Sequence, residues 1–442
     1  MLITRASLLD GAVVDLRVGP TITAVAERLT PEPGEDMYDA RAGTVLPGLH
    51  DHHVHLWSSA AALGSVPAGP PRVRTRADLR KALHAGGVDA DGWIRAVGYH
   101  DSVAGALDRD RLDDISPPVP VRVQHRSGAL WTLNSAALAR IGATDHPDGR
   151  FFREDPAIPR TQAPSLRQLS DRLAAFGVTG LTEATPDYGR RDIETFTKAR
   201  KSGELRQQLH CMAVAGTRPT TEVSIGPAKI ILDDTALDLE ALCRWIADNH
   251  AAGHPVAVHA VTDSQLVVTI AALREAGGHP GDRIEHAAVV PDDCIGDLAE
   301  VGVTVVTQPN FVGERGDEYR AEVPVAQHHQ LWRVASLADA GIPVALSTDT
   351  PFGDGDPWAA MRSAVHRDTP AGAVLGAGEA VSPRAAVQMF LGWPDRPAVA
   401  RRVAPGQPGD LCVLAGPPDQ VLAELDAGLV AATIIGGAIV RT

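Results

Sequence analysis

The sequence predicts an α/β fold: a (β/α)8 TIM-like barrel, a small β-sandwich domain from both termini, and an insertion after the first barrel strand. Three observations carry this. The centre of the chain alternates short apolar runs with segments of helical spacing, the pattern of repeated βα units. Eight such runs fall at 44–55, 178–184, 208–214, 228–233, 256–259, 283–286, 303–307 and 343–347, the number a (β/α)8 barrel needs. Both ends of the 442-residue chain read instead as short strands and turns.

At the amino end, residues 12–18 alternate before Gly19-Pro20, and the strand-like run 22–26 follows. At the carboxyl end, 410–414 and 429–435 are strand-like, with Gly436-Gly437 as a turn. Residues 1–45 plus 405–442 are therefore assigned to the small β-domain, and 46–57 plus 171–404 to the barrel. The unit at 256–276 shows the rhythm best. An apolar strand ends in His259, and a helix opens near Asp263. Leu266, Val267, Ile270 and Leu273 follow the helical spacing, and Gly277-Gly278 closes it. Residues 58–170 are too long for a βα connection. They hold their own strand at 119–124 and a turn cluster, Ser116-Pro117-Pro118. An insertion there leaves the barrel end where active sites lie, so it is placed to act as a lid.

Composition excludes several classes. A net charge of −14 argues against nucleic acid and anionic membranes as partners. Hydrophobic content of 44% and charged content of 22% are ordinary for a globular chain. No apolar run reaches the roughly 18 residues of a membrane span. No basic-then-apolar leader opens the sequence. Cys211, Cys243, Cys294 and Cys412 have no paired spacing and sit beside apolar residues, as buried free thiols of a reducing compartment do. The expectation is a cytoplasmic protein with a small-molecule partner; homo-oligomerisation stays open.

The chemistry-bearing residues fall at strand ends. His53 and His55 alternate around Val54, and residues two apart on a strand project to one face. An imidazole pair on one face is half of a metal site. Lys229 opens the fourth strand, His259 and His286 end the fifth and sixth, and Asp349 follows the eighth. A barrel gathers all six at one mouth. Singly, each has an ordinary reading: a hydrogen-bonded structural histidine, a turn or cap aspartate, a snorkelling lysine. The conjunction is the signal. Trp57, just before the insertion, and Trp131, Phe151 and Phe152 within it suit an apolar pocket, and Arg122, Arg126, Arg150 and Arg153 suit a carboxylate. Both sets equally suit the insertion's own core and rim.

Pro47-Gly48 through His55, Asn134-Ser135-Ala136-Ala137-Leu138, Gly177-Val178-Thr179, residues 259–263, 283–287 and 347–351, Gln308-Pro309, and residues 406–411 together resemble the metal-dependent amidohydrolase superfamily. Within it the chain is most similar to the branch containing the N-substituted formamide deformylases. The resemblance implies one or two divalent ions, zinc first. His53 and His55 would bind one ion, His259 and His286 would complete that site or bind a second, and a carboxylated Lys229 would bridge them. Asp349 would be both ligand and general base. It implies hydrolysis of a C–N bond of an amide, formamide or cyclic amide. An isomerase, dehydratase or deaminase on the same barrel stays open, as does a silent scaffold, against which all six candidate ligands argue.

Two departures bear on substrate. Thr262 stands where the branch often has glycine, and Ser127-Gly128-Ala129-Leu130-Trp131 lacks a histidine that many relatives carry. His125 is a candidate substitute, with Arg126 and Trp131 as substrate contacts. Asp51 is a candidate acceptor for the histidine rings. Glu285 alternates with His286, so it is expected to point away and be structural. His50, His52, His250, His254, His328 and His329 are read as surface or structural, and His100 and His366 are left unassigned.

Overall fold

The computed structural model describes residues 1–152 and 164–441, so Arg153 lies outside the described residues. The fold is α/β with parallel sheets. The chain divides into two compact units, Met1–His55 with Leu169–Thr442, and Leu56–Gln168.

In the first unit, strands from both termini share one mixed sheet. Leu411–Leu414 pairs antiparallel with Thr44–Pro47 on one side and with Val430–Ile435 on the other, and Leu2–Ser7 adjoins Thr44–Pro47. This corrects the single strand expected over 44–55. Thr44–Pro47 belongs to the terminal sheet, whereas Leu49–Val54 runs parallel to Val178–Glu183. Gly48 separates them, and a Cβ there would lie 2.2 Å from the Thr179 side chain. Only glycine lets the chain pass that close.

Parallel strands follow in two sheets. One orders Leu49–Val54, Val178–Glu183, Gln208–Met212 and Val223–Gly226; the other orders Ala228–Ile231, Val256–Ala260, Arg283–His286, Thr304–Thr307 and Val344–Leu346. The fourth strand therefore begins earlier than expected and breaks at Pro227, which has no N–H for a ladder. The helix Asp263–Ala276 forms as expected, capped by Thr262, whose hydroxyl accepts from Gln265 N at 3.2 Å. This gives the departure at Thr262 a local reason, because a side-chain oxygen stabilises a helix start. Val267 corrects the expected inner face: it is 51% exposed, while Leu266, Ile270 and Leu273 are buried.

The second unit has its own five-stranded sheet, ordered Arg150–Phe152, Leu130–Leu133, Val121–His125, Ile94–Tyr99 and Val66–Pro67. It buries two apolar clusters, one around Leu79, Leu83, Ile94 and Val121, the other around Trp93, Trp131, Leu133 and Leu138.

Candidate active site

The first parallel strand does not keep a simple alternation. Its pairing with the second shifts register between Asp51, opposite Leu181, and Val54, opposite Glu183. His50 precedes this shift and His52 lies within it; both are fully interior, at 3% and 0% exposure, so neither is a surface residue. His53 also lies within it, and His55 follows. His53 Nε2 and His55 Nε2 lie 3.7 and 3.5 Å from Asp349 Oδ1. These three residues bring ligand atoms within 4.8 Å of one another.

The remaining candidates extend the group. Lys229 Nζ is 3.1 Å from His53 Nε2. His286 Nδ1 lies 3.9 Å from Asp349 Oδ2, and its ring centroid is 4.7 Å from that of His53. His259 stacks edge-on against His286 at 4.4 Å. All six predicted residues of the first unit thus converge. His125, Arg126 and Trp131 belong to the other unit. Trp131 is buried in that unit's core, with the guanidinium groups of Arg95 and Arg122 at 5.3 and 5.0 Å from its ring centroid. His125 Nδ1 accepts from Ser127 N at 3.2 Å, closing its own turn. Asn134 caps the helix Ser135–Arg140.

Electrostatics prepare the rings as ligands. Burial, and then the Lys229 charge, hold His53 and His55 well below the usual imidazole range and bring His286 down to about 4. Neutral imidazoles keep a nitrogen lone pair for a metal. Burial lowers Lys229 to about 8, so the neutral amine becomes the major form only above that pH. Burial pushes the Asp349 carboxyl up to about 7, against the pull of Lys229 and Arg315. A dication would act in the opposite sense and favour the carboxylate. Asp349 Oδ1 is buried without a hydrogen-bond partner among the described residues. An orphaned carboxylate oxygen facing two neutral imidazoles is a donor set that fits a divalent cation.

Partners behind the rings correct two expectations. Glu285 does not point away: its carboxylate accepts from His53 Nδ1 and from Arg283 Nε, the latter at 2.7 Å. The reason is His286, whose φ of +74° breaks strand alternation immediately after Glu285. A carboxylate on Nδ1 fixes the tautomer and turns Nε2 toward the site. Asp51 serves the opposite wall: it accepts from Thr348 N and Thr348 Oγ1 at 3.1 and 2.5 Å, tethering the segment before Asp349. Gln308 Oε1 accepts from His286 Nδ1 at 2.8 Å, and Thr185 Oγ1 lies 2.9 Å from His55 Nδ1. Gln308 was visible only as part of a motif, and Thr185 not at all. Asp349 caps no helix; the following helix, Pro357–His366, is capped by Asp356. His250, His254, His328 and His329 bond to Asp282, Ala213 O, Val323 O and Asp292, which are structural roles.

Comparison with known proteins agrees with this chemistry. The amidohydrolase family model matches residues 36–441. The chain is 24% identical to the N-substituted formamide deformylase of Arthrobacter pascens, over 81% of this chain and 80% of that protein. It is 27% identical to the Bacillus subtilis (strain 168) protein YtcJ, over 92% and 91% of the two chains. A crystal structure of an uncharacterized metal-dependent hydrolase from Pyrococcus horikoshii OT3 shares the fold, with a TM-score of 0.76 at 18% identity over 94% of this chain and 97% of that one. With the family model spanning most of its length, the chain belongs to the amidohydrolase family and is a metal-dependent hydrolase.

Proposed function

We propose that the enzyme hydrolyses a C–N bond of an amide, a formamide or a cyclic amide. The observation that supports this most is the unpartnered Asp349 Oδ1 facing His53 and His55. In this reading His53, His55 and Asp349 would hold one ion, His259 and His286 would complete that site or hold a second, and Lys229, as a carbamate, would be a further ligand. Zinc suits this set of nitrogen and oxygen donors. When bound, the metal supplies a Lewis acid that polarises the scissile carbonyl and acidifies water to a pKa of about 7. Asp349 takes the proton of the attacking water and returns it to the leaving nitrogen. Neutral Lys229 Nζ forms its C–N bond to carbon dioxide and releases one proton to solvent.

The parallel strands are proposed to close as a (β/α)8 barrel over 46–57 plus 171–404. Hydrogen bonds from Asp349 N to His53 O and from His55 N to Thr350 O, between the first and last strand ends, support closure. A sandwich in the terminal domain is supported by one core shared between Leu16 and Ile22 and, across the strand order, Ala432 and Ile434. The test is hydrolysis of N-benzylformamide, 4-nitroacetanilide and hydantoin by zinc-loaded protein. Release of amine or ring-opened product from at least one is expected. Turnover of none of the three would contradict the proposal.

A further inference from the structure

We propose that Asn310, Glu314 and Arg315 form a clamp that positions the Asp349 loop for proton transfer, an inference that rests on the reading of Asp349 as the proton carrier. Asp349 has φ of +55°, a left-handed conformation uncommon outside glycine and tolerated best by aspartate and asparagine. Such a conformation persists only where its surroundings over-determine it. Within the turn, Phe352 N and Gly353 N donate to Asp349 O at 2.8 and 3.1 Å. The first strand ties the loop on one side, with Asp51 accepting from Thr348 N and Oγ1 and Asp349 N donating to His53 O, and the helix Asn310–Glu322 grips it as well.

Asn310 and Glu314 are four residues apart and share a helix face, with Arg315 beside them. Asn310 Nδ2 donates to Thr348 O at 3.1 Å, immediately before Asp349. Arg315 Nη2 donates to Phe352 O. Glu314 Oε1 accepts from Asp354 N at 2.8 Å. The helix therefore grips the chain on both sides of Asp349. The grip is itself braced: Asn310 Nδ2 also donates to Glu314 Oε1 at 3.0 Å, and the Arg315 guanidinium lies 4.4 Å from the Phe311 ring centroid. Gly353 makes the approach possible, because a Cβ there would lie 2.3 Å from Asn310 Nδ2 and 2.4 Å from Thr348 O. The Phe352 held by Arg315 sets its ring edge-on to His55, with centroids 5.3 Å apart. One helix face thus fixes the backbone of the proton carrier and the neighbour of a candidate ligand ring.

These are positioning residues. The test uses the zinc-loaded full chain carrying Asn310→Ala, Arg315→Ala, Arg315→Lys or Gly353→Ala. The readouts are kcat and KM on whichever of the three probes named above is turned over, zinc content, the thermal midpoint, and hydrogen exchange of the 348–354 amides. Misplacing a reacting group by about 1 Å costs on the order of 10²-fold in rate. Asn310→Ala and Arg315→Ala should lose kcat on that scale while KM, zinc content and the thermal midpoint hold. Loop amides should exchange faster while strand Thr304–Thr307 is unchanged. Arg315→Lys should recover part of the rate, since it keeps the charge and one donor but not the fork. Gly353→Ala should resemble Asn310→Ala.

Wild-type kcat, or unchanged loop exchange, in the folded variants would overturn the clamp. So would joint loss of zinc, thermal stability and rate, which is a merely structural role. Asp349→Asn run in parallel separates the two claims. If it keeps its kcat, the proton-carrier reading fails. If it is slow while Asn310→Ala and Arg315→Ala are not, only the clamp fails. The exchange readout needs no substrate, and Arg315→Lys preserves packing should an alanine variant not fold.

Discussion

The two units use similar residues to opposite ends. In the first, His53, His286, Lys229 and Asp349 are buried and converge with the half-buried His55, each ring held from behind by another residue so that its free face meets the group. In the second, His125 closes its own turn and Trp131 fills its own core. Composition does not separate these cases. Position does: a polar residue at the end of a buried parallel strand has few local ways to satisfy itself, whereas one in a turn-rich segment has many. Every experiment that separates the two units tests that difference.

The largest effect is expected at the strand ends. His53→Ala and His55→Ala should abolish stoichiometric metal binding and reduce hydrolysis to background, read by elemental analysis and by the probe assays. Asp349→Asn comes next. Positioned acid–base groups contribute about 10²–10⁴-fold, so kcat at saturating zinc should fall by at least about 10²-fold while substrate still binds. An Asp349→Asn variant with normal kcat would reduce Asp349 to a turn residue.

Much of this site was legible in the sequence, because His53, His55 and His286 each fall at the end of a parallel strand. Glu285 was not. The strand period of two assigned it outward, and the left-handed backbone at His286, φ +74°, cancels that rule at this residue. A register shift between Asp51 and Val54 interrupts the alternation of that strand, and His50 and His52 are interior as well as His53. The strand at 44–55 was read as one because its apolar pattern runs through Gly48; the contact with Thr179 that splits it is a tertiary fact. Thr185 reaches His55 across strands, with no sequence-local trace.

Smaller effects sharpen the contrast. Glu285→Gln keeps the shape and removes the charge behind His53. Partners of this kind contribute about 10–100-fold in metal affinity, so zinc Kd should rise on that scale in a competitive chelator titration. An unchanged Kd would make the Glu285–His53 bond incidental. Lys229 gives a pH signature. Burial lowers it to about 8, below its unfolded value, so the folded protein sheds that proton as pH rises through about 8. Only the neutral amine takes up carbon dioxide. At a fixed concentration of dissolved carbon dioxide, reactivation of chelator-treated enzyme on adding zinc should therefore speed up with pH and level off above about 8. A rate that falls over that range would contradict the carbamate. Since the folded pKa is lowered, the same group makes folding more favourable as pH rises from about 8 toward its unfolded value.

In the second unit the effect on the metal should be nil. Trp131→Ala removes a buried aromatic, a change that typically costs about 3–5 kcal/mol of stability, yet zinc stoichiometry should remain that of the unmodified enzyme. His125→Ala should leave both stability and zinc content nearly unchanged. Loss of metal in either variant would break the separation between the two units.

The central claim is that strand-end residues of the first unit form one metal centre. Anomalous diffraction at the zinc edge, on crystals of the zinc-loaded enzyme, tests it most directly. A peak is expected about 2.0–2.2 Å from His53 Nε2, His55 Nε2 and an Asp349 oxygen, typical zinc–ligand distances. A folded, zinc-loaded crystal with no peak there, or with its zinc bound elsewhere, would contradict it.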